Sequence, residues 1–402
     1  MTGDKQFSRR GLLRYSLAGA AAVGGVAVLG ACSTTDEGTD TSTREDLALD
    51  HALRHLVEMS GGPPGAIALV QRGRAAKVHS FGVAETGTTR RPRPTDHMHI
   101  ASTAKAFSGA VALALVDRGI LALEGTVGDY CPDLPANWHP VTLRQLLQHT
   151  SGVPEFLNEP AAQKAIGDSL GTAPAPRQLL DFVAHRETVF APGSSYEYSN
   201  SDNIVVGLFV EAAAGRSYEN ALRRTVLQPL ALRATSLRTG PELPTPRLHG
   251  YDTQDSGGPP EDVSEVLAGG WSWAAGGIVS TPQDLNRFIR GYVGGELFGA
   301  DVQAQQARFV RGSSEPPGPG TNAAGLALFR YVTDAGTVYG HTGNTLGYTQ
   351  FAAASRDGDS SCVVTINAQR TQNSEGTAAQ VFTALRDVER LAVAAALHDR
   401  EH

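Results

Sequence analysis

Ser102-Thr103-Ala104-Lys105 stands at the start of the strongest helical pattern in this chain of 402 residues. From Ala104 to Asp117 apolar residues recur three and four positions apart, and Gly119 follows the predicted helix. Because residues three apart lie on one helical face, we expect the Lys105 amine beside the Ser102 hydroxyl. Backbone N–H groups at a helix start can also stabilise an oxyanion. The tetrapeptide therefore predicts a serine activated for nucleophilic attack.

The scarcity of lysine supports this interpretation. The chain has 30 Arg but only four Lys, at positions 5, 77, 105 and 164. Only Lys105 has a serine three residues before it. The alternative for the motif alone is that Ser102 merely caps the helix and Lys105 is a solvated side chain.

Tyr198-Ser199-Asn200 is the second candidate motif. It follows the turn-forming residues 191–195, so we expect it on a loop that presents its side chains. Tyr218-Glu219-Asn220 has the same pattern, but it opens a helix behind the N-cap Ser217 and needs no catalytic explanation. We therefore favour Tyr198 over Tyr218.

The third motif, His341-Thr342-Gly343, lies between strand-like runs at 337–339 and 347–350. Gly340 and Gly343 would let the backbone approach a ligand closely. His341 and Thr342 could hold a carboxylate or a carbonyl. The alternative is a histidine that is satisfied within a turn.

Predicted strands lie near both ends of the chain, and helices dominate the middle. Helices are expected at 44–58, 104–117, 142–149, 176–185, 203–214, 218–231, 282–292 and 377–397, and strands at 66–70, 76–81, 326–331, 347–354 and 361–367. This order predicts one split α/β sheet domain with an all-helical insertion. We find no repeat, phosphate loop or dinucleotide fingerprint.

The N-terminus has the features of a targeting segment, residues 1–31. A twin-arginine pattern, Ser8-Arg9-Arg10-Gly11-Leu12-Leu13, precedes an apolar stretch at 17–29 that is short for a membrane span. Leu29-Gly30-Ala31-Cys32 resembles a bacterial lipoprotein box, which predicts a lipid anchor at Cys32; ordinary cleavage is the alternative. Residues 32–44 read as a flexible tether. We expect an exported protein, on the outer face of the cytoplasmic membrane or in the cell envelope.

Composition limits the partners and cofactors. A formal net charge of −7 gives no electrostatic footprint for nucleic acid, and 41% apolar residues are sufficient for a packed core. Cys131 and Cys362 are expected to be buried and unpaired, although a disulfide is possible in an oxidising compartment. His51 and His55 lack a third ligand, so we predict no metal and no cofactor. Trp271 and Trp273 either line a cleft or pack in a loop.

The three motifs, in this order, resemble those of the serine β-lactamase and penicillin-binding-protein superfamily, specifically the branch of class C β-lactamases and DD-carboxypeptidases. Segments 146–152, 190–200 and 277–285 are also similar to stretches found in that branch, and the resemblance covers about 45–395. It implies an α/β, β-lactamase/transpeptidase-like fold: an antiparallel sheet flanked by helices, with an all-helical insertion. The serine hydrolase unit, 45–402, would divide into an α/β subdomain at about 45–100 and 275–402 and a helical subdomain at about 101–274.

The resemblance also implies roles for the motif residues. Ser102 would be the acylated nucleophile, Lys105 its activating partner, and Tyr198 the general base or proton relay. Asn200 would bind the substrate amide, and the backbone N–H groups of Ser102 and Asn344 would form the oxyanion hole. The segment His341-Thr342-Gly343 would line the strand along which the substrate docks.

His341 stands where class C β-lactamases usually have lysine, and histidine there is found in DD-carboxypeptidases and in related esterases or peptidases. The resemblance therefore implies a serine hydrolase that acts on D-alanyl-D-alanine peptides of the cell wall. A class C-like β-lactamase and an esterase remain alternatives, with a small peptide or a β-lactam as substrate. A non-catalytic penicillin-binding or sensing lipoprotein is the alternative of another class.

Overall fold

The computed structural model describes residues 43–253 and 258–398. The predicted signal segment 1–31, the lipidation site Cys32 and the tether up to residue 42 lie outside the described residues. The last two residues of the expected tether belong to the first helix, because Thr43 caps it and Arg44 is its first residue. Within the described ranges, no helix is long and apolar enough to cross a membrane.

Helices are the main regular elements in the described middle of the chain. They are α1 Arg44–Glu58, α2 Ala104–Asp117, α3 Val127–Tyr130, α4 Leu143–Leu147, α5 Pro160–Asp168, α6 Pro176–Leu179, α7 Asn200–Ala214, α8 Tyr218–Leu222, α9 Trp273–Gly276, α10 Pro282–Gly294, α11 Ala300–Gln306 and α12 Gly376–Leu397.

The described strands fall mainly in the first and last thirds. They are β1 Gly65–Arg72, β2 Ala75–Gly82, β3 Met98–His99, β4 Ser236–Leu237, β5 Tyr251–Asp252, β6 Glu261–Asp262, β7 Ile278–Ser280, β8 Val310–Arg311, β9 Thr321–Ala324, β10 Phe329–Thr333, β11 Gly336–Thr345, β12 Tyr348–Ala354 and β13 Ser360–Ile366.

The main sheet has eight strands in the order β2-β1-β13-β12-β11-β10-β9-β8, and every pair in it is antiparallel. The N-terminal hairpin β1–β2 therefore joins strands that come from the other end of the chain. A short sheet, β3-β7-β4, lies beside the start of α2, and β5 pairs with β6. The antiparallel sheet flanked by helices is confirmed.

The main sheet separates two hydrophobic clusters. On one face, Ala66, Ala68 and Val70 of β1 pack with residues of α1 and α12. Leu69, which lies between them in the sequence, packs on the opposite face with residues of α2 and α10. This alternation is the period of two expected of a strand covered on both faces.

Several predicted elements differ from the observed ones. The largest difference between the predicted and observed elements is at the third motif, which lies inside β11 and not between two strands. Asn200 is the first residue of α7, which begins three residues earlier than predicted. The helix expected at 176–185 passes into a 3₁₀ turn after Leu179, and the one expected at 218–231 passes into a π-helical turn after Leu222. Tertiary packing, which periodicity does not report, decides such boundaries.

Two sequence alternatives are decided by burial. Cys131 and Cys362 are free, buried thiols in different hydrophobic clusters. Trp271 and Trp273 are both buried in the larger cluster, and Trp271 donates its indole N–H to the carbonyl of Ser169 at 3.0 Å. They therefore pack in the core and do not line a cleft.

Candidate active site

Ser102 lies in a 3₁₀ turn, Ala101–Thr103, that leads directly into α2. The residue before it, Ala101, has a φ of 47°, in the left-handed region that residues with a Cβ rarely adopt. Strained backbone of this kind occurs at functional sites, where surrounding packing holds it in place. The turn leaves the Ser102 side chain partly exposed, whereas Lys105, one turn later, is fully buried.

Lys105 joins three segments of the chain through its amine. Its Nζ donates to Ser102 Oγ at 3.0 Å, to Asn200 Oδ1 at 2.6 Å and to the carbonyl oxygen of Ala275 at 3.0 Å. All three acceptors are uncharged, and they match the three donor hydrogens of an ammonium group. The predicted neighbourhood of Ser102, Lys105 and Asn200 is thus present, and Ala275 is an additional partner that the motifs did not indicate.

Burial lowers the pKa of Lys105 to about 7, although Glu155, Glu315 and Asp202 act in the opposite direction. Desolvation disfavours the charged form of an amine, and no carboxylate makes a direct ion pair with Nζ among the described contacts. Lys105 therefore has a large neutral fraction near neutral pH, which is the state that can accept the proton of Ser102.

Tyr198 covers the Lys105 amine, with its ring centroid 5.0 Å from Nζ. Burial raises the pKa of Tyr198 well above its usual value, and a polar interaction with Ser102 opposes this effect. The Tyr198 hydroxyl is buried, and within the described residues it has no partner that meets hydrogen-bond geometry. It is therefore a protonated hydroxyl near the nucleophile.

A hydrogen-bonded group of Ser151, Asp202 and His149 supports the ring of Tyr198. Asp202 accepts from the Ser151 hydroxyl at 2.5 Å and lies 3.1 Å from Nδ1 of His149. The His149 ring packs against the Tyr198 ring, with centroids 4.6 Å apart, and Nδ1 also accepts the Ser199 backbone N–H. Burial raises the pKa of Asp202 well above its usual range and lowers that of His149, so both groups favour their neutral forms.

Glu155 holds the other end of the second motif. It is half-buried and accepts hydrogen bonds from the backbone N–H groups of Leu157 and Asn200. Burial raises its pKa, and these hydrogen bonds and Lys105 oppose the effect. Sequence reasoning missed Glu155, His149 and Asp202 as site residues. The only signal was for His149, which lies in segment 146–152 that is similar to a family stretch, and that similarity carried no role.

Strand β11 forms the wall opposite Tyr198. It pairs with β12 from Tyr339 to Thr345, but with β10 only as far as Gly340. From His341 onward, one edge of β11 is therefore unpaired in the described sheet, and such an edge can pair with an extended substrate. A Cβ added at Gly343 would lie 2.4 Å from the carbonyl oxygen of Ile100 and 2.8 Å from Thr103 Oγ1, so only glycine permits this approach to the Ser102 turn.

His341 is buried beside Tyr198, with ring centroids 6.3 Å apart. Its Nδ1 lies 2.6 Å from the carbonyl oxygen of Thr342, which can only accept, so Nδ1 carries the proton. Nε2 then offers a lone pair, and it has no partner among the described residues. Burial and Lys105 lower the pKa of His341 to about 3. His341 is therefore a neutral hydrogen-bond acceptor, which corrects the expectation that it could hold a carboxylate.

Thr342 and Asn344 do not offer free side chains. The Thr342 hydroxyl is buried and donates to the carbonyl oxygen of Pro316 at 2.6 Å. Asn344 Nδ2 donates to Thr349 Oγ1 at 3.0 Å, and its Oδ1 accepts from Gln369 at 2.7 Å. Their predicted contribution to substrate binding is thereby limited to their backbone groups.

The competing residues lie away from this cluster. Tyr218 is fully buried in the core, where its ring packs edge-on against Trp273. His51 and His55 are exposed on α1. In the described ranges, no group of three or more His, Cys, Asp or Glu is placed to hold a metal ion.

Comparison with known proteins identifies the family. The family model described as Beta-lactamase matches residues 49–386. Among curated proteins, protein flp of Staphylococcus aureus (strain N315) is 25% identical over 246 residues, which cover 60% of this chain and 48% of that protein. Penicillin-binding protein 4* of Bacillus subtilis is 29% identical over 193 residues, or 46% of this chain and 41% of that protein. The matched segments thus span about half the length of these relatives.

Solved structures give the same fold. A D-stereospecific amidohydrolase from Streptomyces sp. is 30% identical, with a TM-score of 0.71, and the match covers 80% of this chain and 94% of that one. A D-amino acid amidase from Ochrobactrum anthropi SV3 is 21% identical, with a TM-score of 0.77 and coverage of 89% and 100%. The chain belongs to the β-lactamase family, in the superfamily of serine β-lactamases and penicillin-binding proteins.

Proposed function

We propose that the protein hydrolyses the amide bond on the carbonyl side of a D-amino acid residue, through an acyl-enzyme on Ser102. The observation that carries the proposal is the Lys105 amine, which is buried and hydrogen-bonded to Ser102 Oγ at 3.0 Å beside an unpaired edge of β11. The names of the structural relatives, a D-stereospecific amidohydrolase and a D-amino acid amidase, support the choice of substrate.

In the acylation step, Ser102 Oγ attacks the substrate carbonyl carbon and neutral Lys105 takes the Ser102 proton. The tetrahedral oxyanion would be held by backbone N–H groups of Ser102 and Asn344. The C–N bond then breaks, and the leaving amine takes a proton from Tyr198, which Lys105 restores. Water cleaves the ester by the same route, releasing the acid and the free Ser102. The pKa of Lys105, at about 7, and the raised pKa of Tyr198 favour this division of roles over Tyr198 as the base.

Turnover of D-alanine p-nitroanilide and of its L-enantiomer tests the proposal. We expect p-nitroaniline release from the D-enantiomer, at least tenfold faster than from the L-enantiomer, and none from the Ser102→Ala variant. Equal rates for the two enantiomers, or release that persists in Ser102→Ala, would refute it. A fluorescent penicillin that labels the protein without turnover of any substrate would instead support the non-catalytic alternative.

A second candidate is the D-alanyl-D-alanine carboxypeptidase. His341 in the third motif and the matched segment of penicillin-binding protein 4* favour it. Release of D-alanine from an N-acylated D-Ala-D-Ala peptide tests this candidate, and a cephalosporin and a short acyl ester in the same panel test the β-lactamase and the esterase.

We also propose that the protein is exported and anchored by a lipid at Cys32, as the twin-arginine pattern and the lipoprotein box suggest. Metabolic labelling with a fatty acid should mark the protein, and Cys32→Ala should abolish the label. An unlabelled wild-type protein would refute the anchor.

A further inference from the structure

Segment 312–318 connects the two walls of the active site. On one side, Tyr196, which lies two residues before Tyr198 in the chain, donates its hydroxyl to the carbonyl oxygen of Ser313 at 2.5 Å. On the other side, the Thr342 hydroxyl donates to the carbonyl oxygen of Pro316 at 2.6 Å. Glu315 lies between these two anchors. It is therefore held beside the open edge of β11 and the Tyr198 side of the site.

The carboxylate of Glu315 has no hydrogen bond or ion pair among the described residues, although the residue is half-buried. Among the charged groups, Glu315 contributes most to raising the pKa of both Tyr196 and Tyr198. Its charge also favours the protonated form of Lys105. Burial, together with the neighbouring Glu155 and Glu197, raises the pKa of Glu315 to about 7, because a carboxylate that has lost part of its hydration without gaining a partner is unfavourable. A cation from a ligand would remove this cost.

His341 also needs a hydrogen-bonding partner from a ligand. His341 is fully buried, its Nδ1 is committed to the Thr342 carbonyl, and its Nε2 presents a lone pair that no described residue satisfies. An acceptor needs a hydrogen-bond donor from the ligand. A substrate carboxylate would add a third acceptor to Glu315 and His341, whereas an ammonium would donate to them.

The ionisable groups around the site also favour a positively charged ligand group. The acidic side chains whose charges act on Tyr198 and on Glu315 are Glu155, Glu197 and Glu315. The one basic group that acts on Glu315 is Lys105, whose own pKa is lowered to about 7. The amine of Lys105 is already saturated by its three neutral acceptors. A substrate carboxylate would therefore meet repulsion here, and a positive group would be attracted.

We propose that Glu315 binds the free α-ammonium group of the substrate, so that the protein acts on D-aminoacyl amides and peptides with an unblocked amino terminus. This inference rests on the proposed function, because it names the substrate class for the same Ser102 acyl-enzyme. His341 Nε2 accepts a second hydrogen bond from the same ammonium or from the adjacent amide. Glu155 is excluded from this role because both of its carboxylate oxygens already accept backbone N–H groups, from Leu157 and from Asn200.

The test compares D-alanine p-nitroanilide with N-acetyl-D-alanine p-nitroanilide in three proteins: wild type, Glu315→Gln and Glu197→Gln. Glu197 is the matched control, because it is a nearby carboxylate on the exposed surface. We expect wild type to prefer the free amine, and Glu315→Gln to lose on the order of 10- to 100-fold in kcat/KM for that substrate alone. Glu197→Gln should retain both activities. Thermal unfolding of each variant verifies that it is folded.

The outcomes separate the inference from the function on which it rests. If Glu315→Gln lowers both substrates equally, or if wild type prefers the acetylated substrate, the role of Glu315 is refuted while D-specific hydrolysis stands. If wild type cleaves neither D-substrate but is labelled by fluorescent penicillin, the proposed function fails, and the inference fails with it.

Discussion

Two clusters around a buried ionisable side chain differ in the partners that this side chain has. At the start of α1, Asp46 forms direct ion pairs with Arg72 at 2.7 Å and with Lys77 at 3.3 Å. At the start of α2, Lys105 contacts only neutral oxygens, and carboxylates act on it from a distance. Both central groups are fully buried. The clusters therefore differ in the partners of the buried charge and not in its burial.

The pKa values follow from this difference. Burial alone would raise the pKa of Asp46, but the hydrogen bonds from Arg72 and Thr43 and the positive charges outweigh it and lower the pKa to about 2. Burial of Lys105 is not outweighed, and its pKa falls to about 7. Direct ion pairing keeps a charge fixed and serves stability, whereas a buried amine with neutral partners can exchange its proton near neutral pH.

The largest effect is expected from Lys105→Met. Without the amine, the Ser102 hydroxyl has no base, so the rate of acylation by a fluorescent penicillin should fall by about 1,000-fold or more. The free energy of unfolding should fall by only about 1–2 kcal/mol, since no ion pair is lost but Asn200 Oδ1 and the Ala275 carbonyl lose their donor. Labelling time courses and urea unfolding measure the two quantities. Labelling at the wild-type rate would show that Lys105 is not the base that activates Ser102.

A smaller loss is expected from Tyr198→Phe. We predict a decrease in kcat/KM of about 100-fold, because the hydroxyl that returns the proton is removed. Stability should change little, since that hydroxyl lacks a hydrogen-bond partner in the described structure. Tyr218→Phe is the matched control, with a fully buried ring and a hydroxyl that likewise lacks a partner. Equal losses in the two variants would contradict the assignment.

Asp46→Asn should have the opposite profile to Lys105→Met. We expect it to lower the free energy of unfolding by about 3 kcal/mol at pH 7, because Arg72 loses its buried partner. Its kcat should remain that of wild type. Since the pKa of Asp46 is lowered on folding, its contribution is present above pH 3.8 and is lost as pH falls through about 2. Urea unfolding at pH 7 and at pH 2 should therefore show a difference that disappears in acid.

Lys77→Met is expected to have the smallest effect, a loss of less than about 1 kcal/mol, because the Lys77 side chain is 35% exposed and its ion pair is screened by solvent. A loss as large as that of Asp46→Asn would show that the cluster depends on Lys77 and not mainly on Arg72.

The sequence could predict those parts of the site that depend on local geometry. Ser102 and Lys105 are three residues apart on one helical turn, so their contact follows from the chain itself. Lys105 and Asn200 are 95 positions apart, and only the family resemblance related them. Glu315 has no local signal at all, because its position depends on hydrogen bonds from Tyr196 and Thr342.

The same limit explains the error at the third motif. Gly340 and Gly343 lower the strand propensity of the segment, so the pattern indicated a break between two strands. Pairing with β12 along the whole of residues 339–345 supplies the missing stabilisation. The sheet that joins strands from both ends of the chain was more accessible, since apolar runs at both ends share one core.

The buried Lys105 amine is expected to lose its proton near neutral pH. The chain has only four lysines, so [15Nζ]lysine NMR can follow each amine in the whole protein, and Lys105→Arg assigns the signal. We predict that the Lys105 signal titrates with a midpoint near pH 7, and that the acylation rate of Ser102 rises over the same range. A Lys105 signal that stays charged up to pH 9 would contradict it.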